Sequence, residues 1–334
     1  MSYQLRIENP DTTNFITTRT RNSELWFTEF PAELKSEILG RLAKYQQNYQ
    51  VQLYCIPIQG NHFHLIARFP SGNRAAFMRD FNSQFARLCK RFISAIPMGP
   101  LWGRRYSNQT LDDDASIRKY FYYCALQAVH SGLTEHPEQY SGYNSLNESL
   151  NDTPTTYIVT DWTAYNNARR FNPKVPITRY QEAFQLIFSR LPGFDPTLSS
   201  AEYREQVLAE VERRRLELVK ERTDAGKGFA GPVALAAIKP GTCPHQTKLS
   251  NRATKLVVSL ACDLFTRERC REEYYTIKDT HRVASRKFLT GETSVTFPKG
   301  TYRPPSFTMP KLPSSPPPPP ATAAGGGVAA TPPS

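Results

Sequence analysis

Two rhythms of apolar and polar positions divide the first 130 residues. The short β-branched run Asn14-Phe15-Ile16-Thr17-Thr18-Arg19 predicts a first strand. Behind Pro31, a residue suited to a first helical turn, Leu34, Ile38, Leu42, Tyr45 and Tyr49 recur every three to four positions and predict an amphipathic helix. The runs from Val51 to Ile58 and from His62 to Phe69 read as two strands joined through Gln59-Gly60-Asn61, a hairpin. Pro57 cannot donate to a ladder and so belongs near a strand end or bulge. A second helix carries Phe77, Phe81, Phe85, Leu88 and Phe92 along one side. Leu101 to Tyr106 reads as a fourth strand, and Asp112-Asp113-Asp114 supplies N-cap and dipole-favoured charge for a third helix. The order βαββαβα predicts an α+β fold of the ferredoxin-like, or RRM-like, split arrangement with one helix added.

Beyond this unit the rhythm fades. Residues 151–177 are polar and interrupted, without a clean period of 2 or 3.6, and read as a connector after a folded unit over 1–150. Residues 178–191 and 200–225 read as helices, with a further helix from Thr254 to about Leu289, so that 178–303 is expected to be a mostly α-helical basic extension. Residues 304–334 hold 11 of the 27 prolines, including Pro316 to Pro320, and read as a disordered Pro/Gly-rich tail.

Charge narrows the choice of partners. The chain has 42 Lys and Arg against 30 Asp and Glu, a net charge of +12, which favours a polyanion. Residues 239–303 contribute 13 basic side chains against 6 acidic ones, so the extension is either a backbone-binding surface or a solvated helix face. No apolar run approaches the roughly 20 residues of a membrane-spanning helix, and the N-terminus lacks the pattern of a signal peptide. A cytoplasmic, nucleoid-associated protein with six reduced cysteines is therefore expected. Cys243-x-His245 has no second half and reads as structural rather than metal-binding.

Candidate chemistry begins with His62 and His64. In a strand, residues i and i+2 share a face, so the two imidazoles project side by side and can share one metal ion. By itself such a pair is more often exposed or hydrogen-bonded. On the third helix Tyr123 and Gln127, at i and i+4, lie one turn apart on one face, a phenol beside an amide oxygen. An aromatic at helical spacing is by itself more often core.

Together these segments resemble a known family. Asn61-His62-Phe63-His64-Leu65, then Leu101-Trp102-Gly103-Arg104-Arg105-Tyr106, then Tyr123 through Leu133 resemble the successive motifs of REP-associated tyrosine transposases, within the HUH single-strand endonuclease superfamily. The resemblance spans roughly residues 10–145. It implies that His62 and His64 bind metal, that Gln127 completes the metal site, and that Tyr123 is the nucleophile, with Tyr120 and Tyr122 as neighbouring phenols. Two positions depart from the family pattern: Gly60 stands where proline is usual, and Ala128 where an Asn-Pro-Val run commonly continues.

The implied activity is metal-dependent cleavage and strand transfer on single-stranded or hairpin DNA through a 5′-phosphotyrosine link, supported by Mg²⁺ or Mn²⁺. Arg74, Arg79, Arg87, Lys90, Arg91, Arg104 and Arg105 are the candidates for tracking phosphates, and Trp102 and Tyr106 for stacking bases; Trp102 reads equally as a packing residue. The expected assembly is a monomer or homodimer. The competing readings are a replication-initiator nickase of the same superfamily and a nucleic-acid-binding protein that keeps the scaffold without the activity.

Overall fold

A computed structural model describes residues 4–28, 30–244 and 256–305. The fold is α+β, built on a six-stranded antiparallel sheet with helices on both faces. Strand β1 (Thr13–Arg19) lies centrally between β4 (His62–Arg68) and β5 (Ser107–Leu111). On the far side of β4 run β2 (Gln52–Cys55), which contains a register shift between Leu53 and Cys55, and β3 (Pro57–Gln59), consecutive pieces of one strand interrupted at Ile56. Pro57 sits at the resumption after this irregularity, where its missing N–H leaves no gap in the ladder. The short β6 (Tyr143–Asn144) pairs with β3 at the edge.

The two faces are set by alternation. Ile16, Phe63, Leu65 and Ala67 point into a core formed with α1 (Ala32–Tyr49) and α2 (Arg74–Phe92), whose Leu34, Ile38, Leu42, Phe77, Phe81 and Phe85 are fully buried. Phe15 and Ile66 point the other way, into a second core with α3 (Asp114–Ala125), α4 (Gln127–His130) and α7 (Ser200–Asp224). Asp113 caps α3 by accepting from the Ser116 amide at 2.5 Å, and its other carboxylate oxygen accepts from the Cys262 amide at 2.8 Å.

Several local expectations give way. Leu101–Tyr106 forms no strand: Trp102 makes a single bridge with Thr20, and the strand is the following Ser107–Leu111. The stretch read as a connector contains β7 (Thr155–Thr160) and α6 (Trp162–Phe171). The helix expected over 178–191 is instead β8 (Gln181–Leu186), which pairs with β7 in a separate two-stranded sheet. Phe184, Leu186 and Phe188 are buried against the α1–α2 core while Ala183, Gln185 and Ile187, alternating with them, are exposed, so packing selects the period of 2. In α7 the buried stripe runs Tyr203, Val207, Val211, Arg215, leaving Leu216 exposed. The last long helix is α9 (Leu264–Leu289), after the short α5 (Leu146–Ser149) and α8 (Gly231–Ala236). The proline-rich tail, from residue 306 on, and His245 lie outside the described residues. Among those described, no helix is long and apolar enough to cross a membrane.

The small sheet is clamped onto α1 at one glycine. A Cβ on Gly40 would come within 2.8 Å of Val159 Cγ2 and 3.2 Å of the Ile158 carbonyl oxygen. Gly40→Ala is expected to destabilise the protein by about 1–3 kcal/mol despite alanine's better helix propensity, and a urea midpoint equal to or above wild type would refute this account of the packing.

Candidate active site

The site is assembled on the α3 face of β4 and β1. Antiparallel pairing sets Thr17 opposite His64 and Arg19 opposite His62, so all four side chains leave the same face. The two imidazole rings lie 4.9 Å apart, nearly perpendicular, and both residues are buried. Each is held from behind through Nδ1: that of His62 lies 2.7 Å from Asn61 Oδ1, and that of His64 lies 2.8 Å from Thr17 Oγ1. Asn61 is itself fixed, its side-chain amide donating to the Ser23 carbonyl at 2.9 Å.

This network assigns a tautomer. Asn61 Oδ1 accepts, so His62 Nδ1 carries the proton and Nε2 is left with its lone pair; the Gln127 amide nitrogen stands 2.7 Å from that Nε2 and donates to it. Burial, reinforced for His62 by His64 and for both by the charge of Arg19, pushes both histidines far down from their ordinary 6.5, His64 to about 3. Both rings are thus neutral near pH 7, the form that binds metal.

Two atoms aimed into the site have no partner. His64 Nε2 and Gln127 Oε1 are both buried without a hydrogen bond. With His62 Nε2, whose lone pair the Gln127 amide nitrogen occupies here, they offer two imidazoles and an amide oxygen, a donor set that could hold a metal once that N–H bond is exchanged for the ion. This donor set fits a divalent ion that tolerates nitrogen and oxygen together, Mn²⁺ better than Mg²⁺. Among the described residues, no group of three or more His, Cys, Asp and Glu would hold a metal, so the amide is needed to complete the set.

Geometry separates the three tyrosines. The Tyr123 ring is half-buried, 5.9 Å from that of His64 and 5.4 Å from that of His130. Tyr120 lies against Phe15 and Tyr123, one step further out. Tyr122 turns away into the second core, under the Arg214 guanidinium at 4.6 Å, where burial first and then Glu210 push its phenol up to about 12. Burial raises the Tyr123 phenol as well, with Cys124 and Tyr120 adding to the shift, while the charge of Arg19 acts in the opposite direction.

Arg19 is the residue that sequence reading missed. Its charge bears on both histidines and on Tyr123, and burial together with the neighbouring Arg104 lowers its own pKa. The i+2 relation of Thr17 and Arg19 was visible in the sequence; their apposition to the histidines depends on a register set by residues 47 and 43 positions away.

The structure also explains one departure from the family pattern. The Gly60 N–H donates to Tyr140 Oη at 2.8 Å, and a Cβ there would meet Leu25 Cδ2 at 2.8 Å; proline would lose the first and create the second.

The candidate DNA-contacting residues separate into groups. Arg104 and Arg105 are exposed beside β5, close to the centre. Tyr106 is buried with the Arg6 guanidinium 4.2 Å above its ring. Arg74 is buried in bonds to Asn14 Oδ1 at 2.6 Å and the Ile7 carbonyl at 2.9 Å. Trp102 is a packing residue: it lies among Phe27, Phe63 and Phe85, and its indole donates to the Asn82 carbonyl at 2.9 Å. Arg79, Arg87, Lys90 and Arg91 belong to α2, on the opposite face of the sheet; Arg79 pairs with Asp80, and Arg91 stacks 3.5 Å over Trp162.

Comparison with known proteins gives a partial likeness. No protein-family model and no curated protein matches the chain. It is similar to a solved REP-associated tyrosine transposase bound to a REP hairpin, at 15% identity and a TM-score of 0.38, over 44% of this chain and 84% of that one. It is also similar to a candidate transposase from Deinococcus radiodurans R1, at 17% identity and a TM-score of 0.26, over 36% of this chain and 90% of that one. A tRNA(His) guanylyltransferase from Saccharomyces cerevisiae matches at 10% identity and a TM-score of 0.30, over 63% of this chain and 81% of that one. At these scores the functional reading has to come from the side chains.

The buried histidines carry a pH signature. Each takes up a proton more readily in the unfolded chain, near 6.5, than in the fold, where His64 sits near 3. Their contribution to stability is therefore complete above about pH 6.5 and is lost progressively as pH falls towards 3. In chelator, the urea midpoint of wild type is expected to fall between pH 7 and pH 5 and that of His64→Leu to fall less; parallel curves would show that the imidazoles are not held neutral.

Proposed function

We propose that the chain is a metal-dependent single-strand DNA endonuclease and strand transferase of the REP-associated tyrosine transposase kind, acting on hairpin or palindromic repeat DNA. The observation that carries the reading is the convergence of His62 Nε2 and the partnerless His64 Nε2 and Gln127 Oε1 beside a half-buried Tyr123 under the charge of Arg19. The strand order β5-β1-β4-β2/β3, which leaves the histidine strand β4 inside the sheet, is compatible with it.

A phosphodiester resists nucleophiles because its oxygens are negative. His62, His64 and Gln127 would hold Mg²⁺ or Mn²⁺, which when bound polarises the phosphoryl oxygens. Arg19 adds fixed positive charge on the same face and offsets part of the rise that burial gives the Tyr123 phenol. Tyr123 Oη attacks phosphorus; the bond from phosphorus to the 3′-oxygen breaks, leaving a 5′-phosphotyrosine and a 3′-hydroxyl. The phenolic proton leaves to water or to His130, whose ring borders that of Tyr123, and the departing 3′-oxygen takes up a proton. Rejoining the phosphotyrosine to another 3′-hydroxyl reverses these steps without an external energy source. A monomer or homodimer working on DNA in a bacterial cytoplasm accords with this chemistry.

Full-length protein is to be incubated with labelled single-stranded hairpin DNA from the flanks of its own gene, in Mn²⁺ or EDTA, and resolved on a denaturing gel. A covalent adduct is expected that requires metal, falls by roughly a thousandfold or more in Tyr123→Phe and survives in Tyr122→Phe. Shifted but uncut DNA in every condition would leave the non-enzymatic reading in place. Asn61→Ala and Thr17→Val, which free the rear nitrogens of the two imidazoles, are each expected to weaken Mn²⁺ binding about 10–100-fold by calorimetry; unchanged affinity would remove the histidines from the metal site.

A further inference from the structure

At the β5 edge of the sheet, largely on the α2 side and so across it from the histidines, lies a cavity of about 490 Å³ that the cleavage chemistry does not use. Its volume is in the range of small-ligand pockets, roughly 300–1,000 Å³. One wall is β5 and the residues before it, with Arg104, Tyr106 and Asn108. The others come from outside the stretch that resembles the transposases: Leu5, Arg6 and Ile7 of the N-terminal segment, and Val258, Tyr274 and Ile277 of the extension. These outer walls are joined, for the Leu5 amide donates to Tyr274 Oη at 3.0 Å and Val258–Leu260 hydrogen-bonds to Thr110 of β5.

The lining has three chemistries. Leu5, Ile7, Val258 and Ile277 with the Tyr274 ring form an apolar part of the wall. Arg6, Arg74 and Arg104 bring positive charge, against the carboxylates of Asp112 and Glu273, and Arg6 is further crowded by the charges of Arg105 and Arg74. Two polar atoms are buried without a partner: Tyr106 Oη, on a side chain that is nine-tenths buried, and Asn108 Oδ1. A buried polar atom left unpaired in a lined cavity marks a place where a ligand atom would satisfy it. Asn108 Oδ1 accepts and Tyr106 Oη donates or accepts, a pair suited to the ring nitrogen and exocyclic amine of a nucleobase.

Arg104 joins this cavity to the catalytic centre, because it lines the cavity and its charge also acts on Arg19. Ser107, between Tyr106 and Asn108, faces the other way, in register with Thr17, the partner of His64, so the pocket and the centre are separated by β5 and connected around its edge. We propose that the cavity takes one unstacked nucleotide, a base bearing an exocyclic amine with its phosphate towards Arg6 and Arg104, from the single strand that leaves the cleavage site. The inference rests on the DNA-processing reading above, and it gives the extension a role, since α9 and the segment before it close the pocket. A free nucleoside monophosphate shares this chemistry and is the other source of such a ligand.

The test uses full-length protein, fluorescein-labelled single-stranded 12-mers from the gene's flanks, and a set in which one nucleotide at a time is made abasic. Anisotropy titrations are expected to show one position at which loss of the base weakens wild-type binding five- to tenfold, with adenine or cytosine preferred there over thymine. In Asn108→Leu that loss is expected to disappear, at an unchanged thermal midpoint; Tyr106→Phe serves the same purpose if Asn108→Leu melts early. Oligonucleotide binding that is equally sensitive to the abasic site in both proteins overturns the pocket and leaves the DNA reading standing. Binding of deoxyadenosine monophosphate that Asn108→Leu abolishes, in a protein that binds no oligonucleotide, overturns the strand as the source and the DNA reading with it. Binding of neither overturns both.

Discussion

The antiparallel register of β1 on β4 is the constraint through which the site exists. Side chains on paired strands share a face only when they are in register, and a slip of one residue would send Thr17 and Arg19 into the α1–α2 core and bring Ile16 and Thr18 out against the histidines. That slip is opposed by apolar contacts on both faces: Ile16, Phe63 and Leu65 on one side, Phe15 and Ile66 on the other. Two hydrophobic cores therefore hold in place four polar side chains that contribute little apolar contact of their own. Phe15 takes part directly, its ring stacked on that of His64 at 4.8 Å and edge-on to Tyr123 at 6.2 Å, so that one residue couples core packing to ring orientation.

Burial has opposite consequences for the two kinds of reacting group. For the histidines it removes the charged form and leaves lone pairs available. For Tyr123 it opposes ionisation, which a nucleophile needs, and Arg19 is the counterweight. Withdrawing the side chains from water thus keeps the imidazoles neutral and the phenol protonated, and the arginine on the neighbouring strand offsets only part of the second effect.

The histidine pair was legible in the sequence because a strand's period of 2 is local, and the helices α1 and α2 because their apolar stripes are long and regular. Tyr123 and Gln127 were found at helical spacing, although the helix breaks between them at Leu126. What escaped was set at long range. β5 is composed of Ser-Asn-Gln-Thr-Leu, too polar to stand out, whereas before it the Leu101 carbonyl accepts from the Arg21 amide and Trp102 packs on Phe85. Around β8, Tyr180, Phe184, Ile187 and Leu191 also recur at helical spacing, and only pairing with β7 decides for the strand. The basic residues of α2 looked like part of one cationic surface with Arg104 and Arg105, but their helix lies across the sheet from the reacting groups.

The segment from Val258 to Leu260 lies along β5, with the Thr110 amide donating to the Val258 carbonyl at 2.9 Å and the Leu260 amide to the Thr110 carbonyl at 2.8 Å. It runs parallel to β5, in a sheet otherwise antiparallel. An open edge of this kind is a template for strands from other molecules, and proteins commonly guard it with charge, twist or a covering segment. Here the guard is supplied by chain more than 140 residues downstream of the strand it covers. During synthesis β5 therefore emerges long before its cover, and for that interval the nascent chain presents an unguarded strand whose neighbours in a crowded cell are other copies of itself.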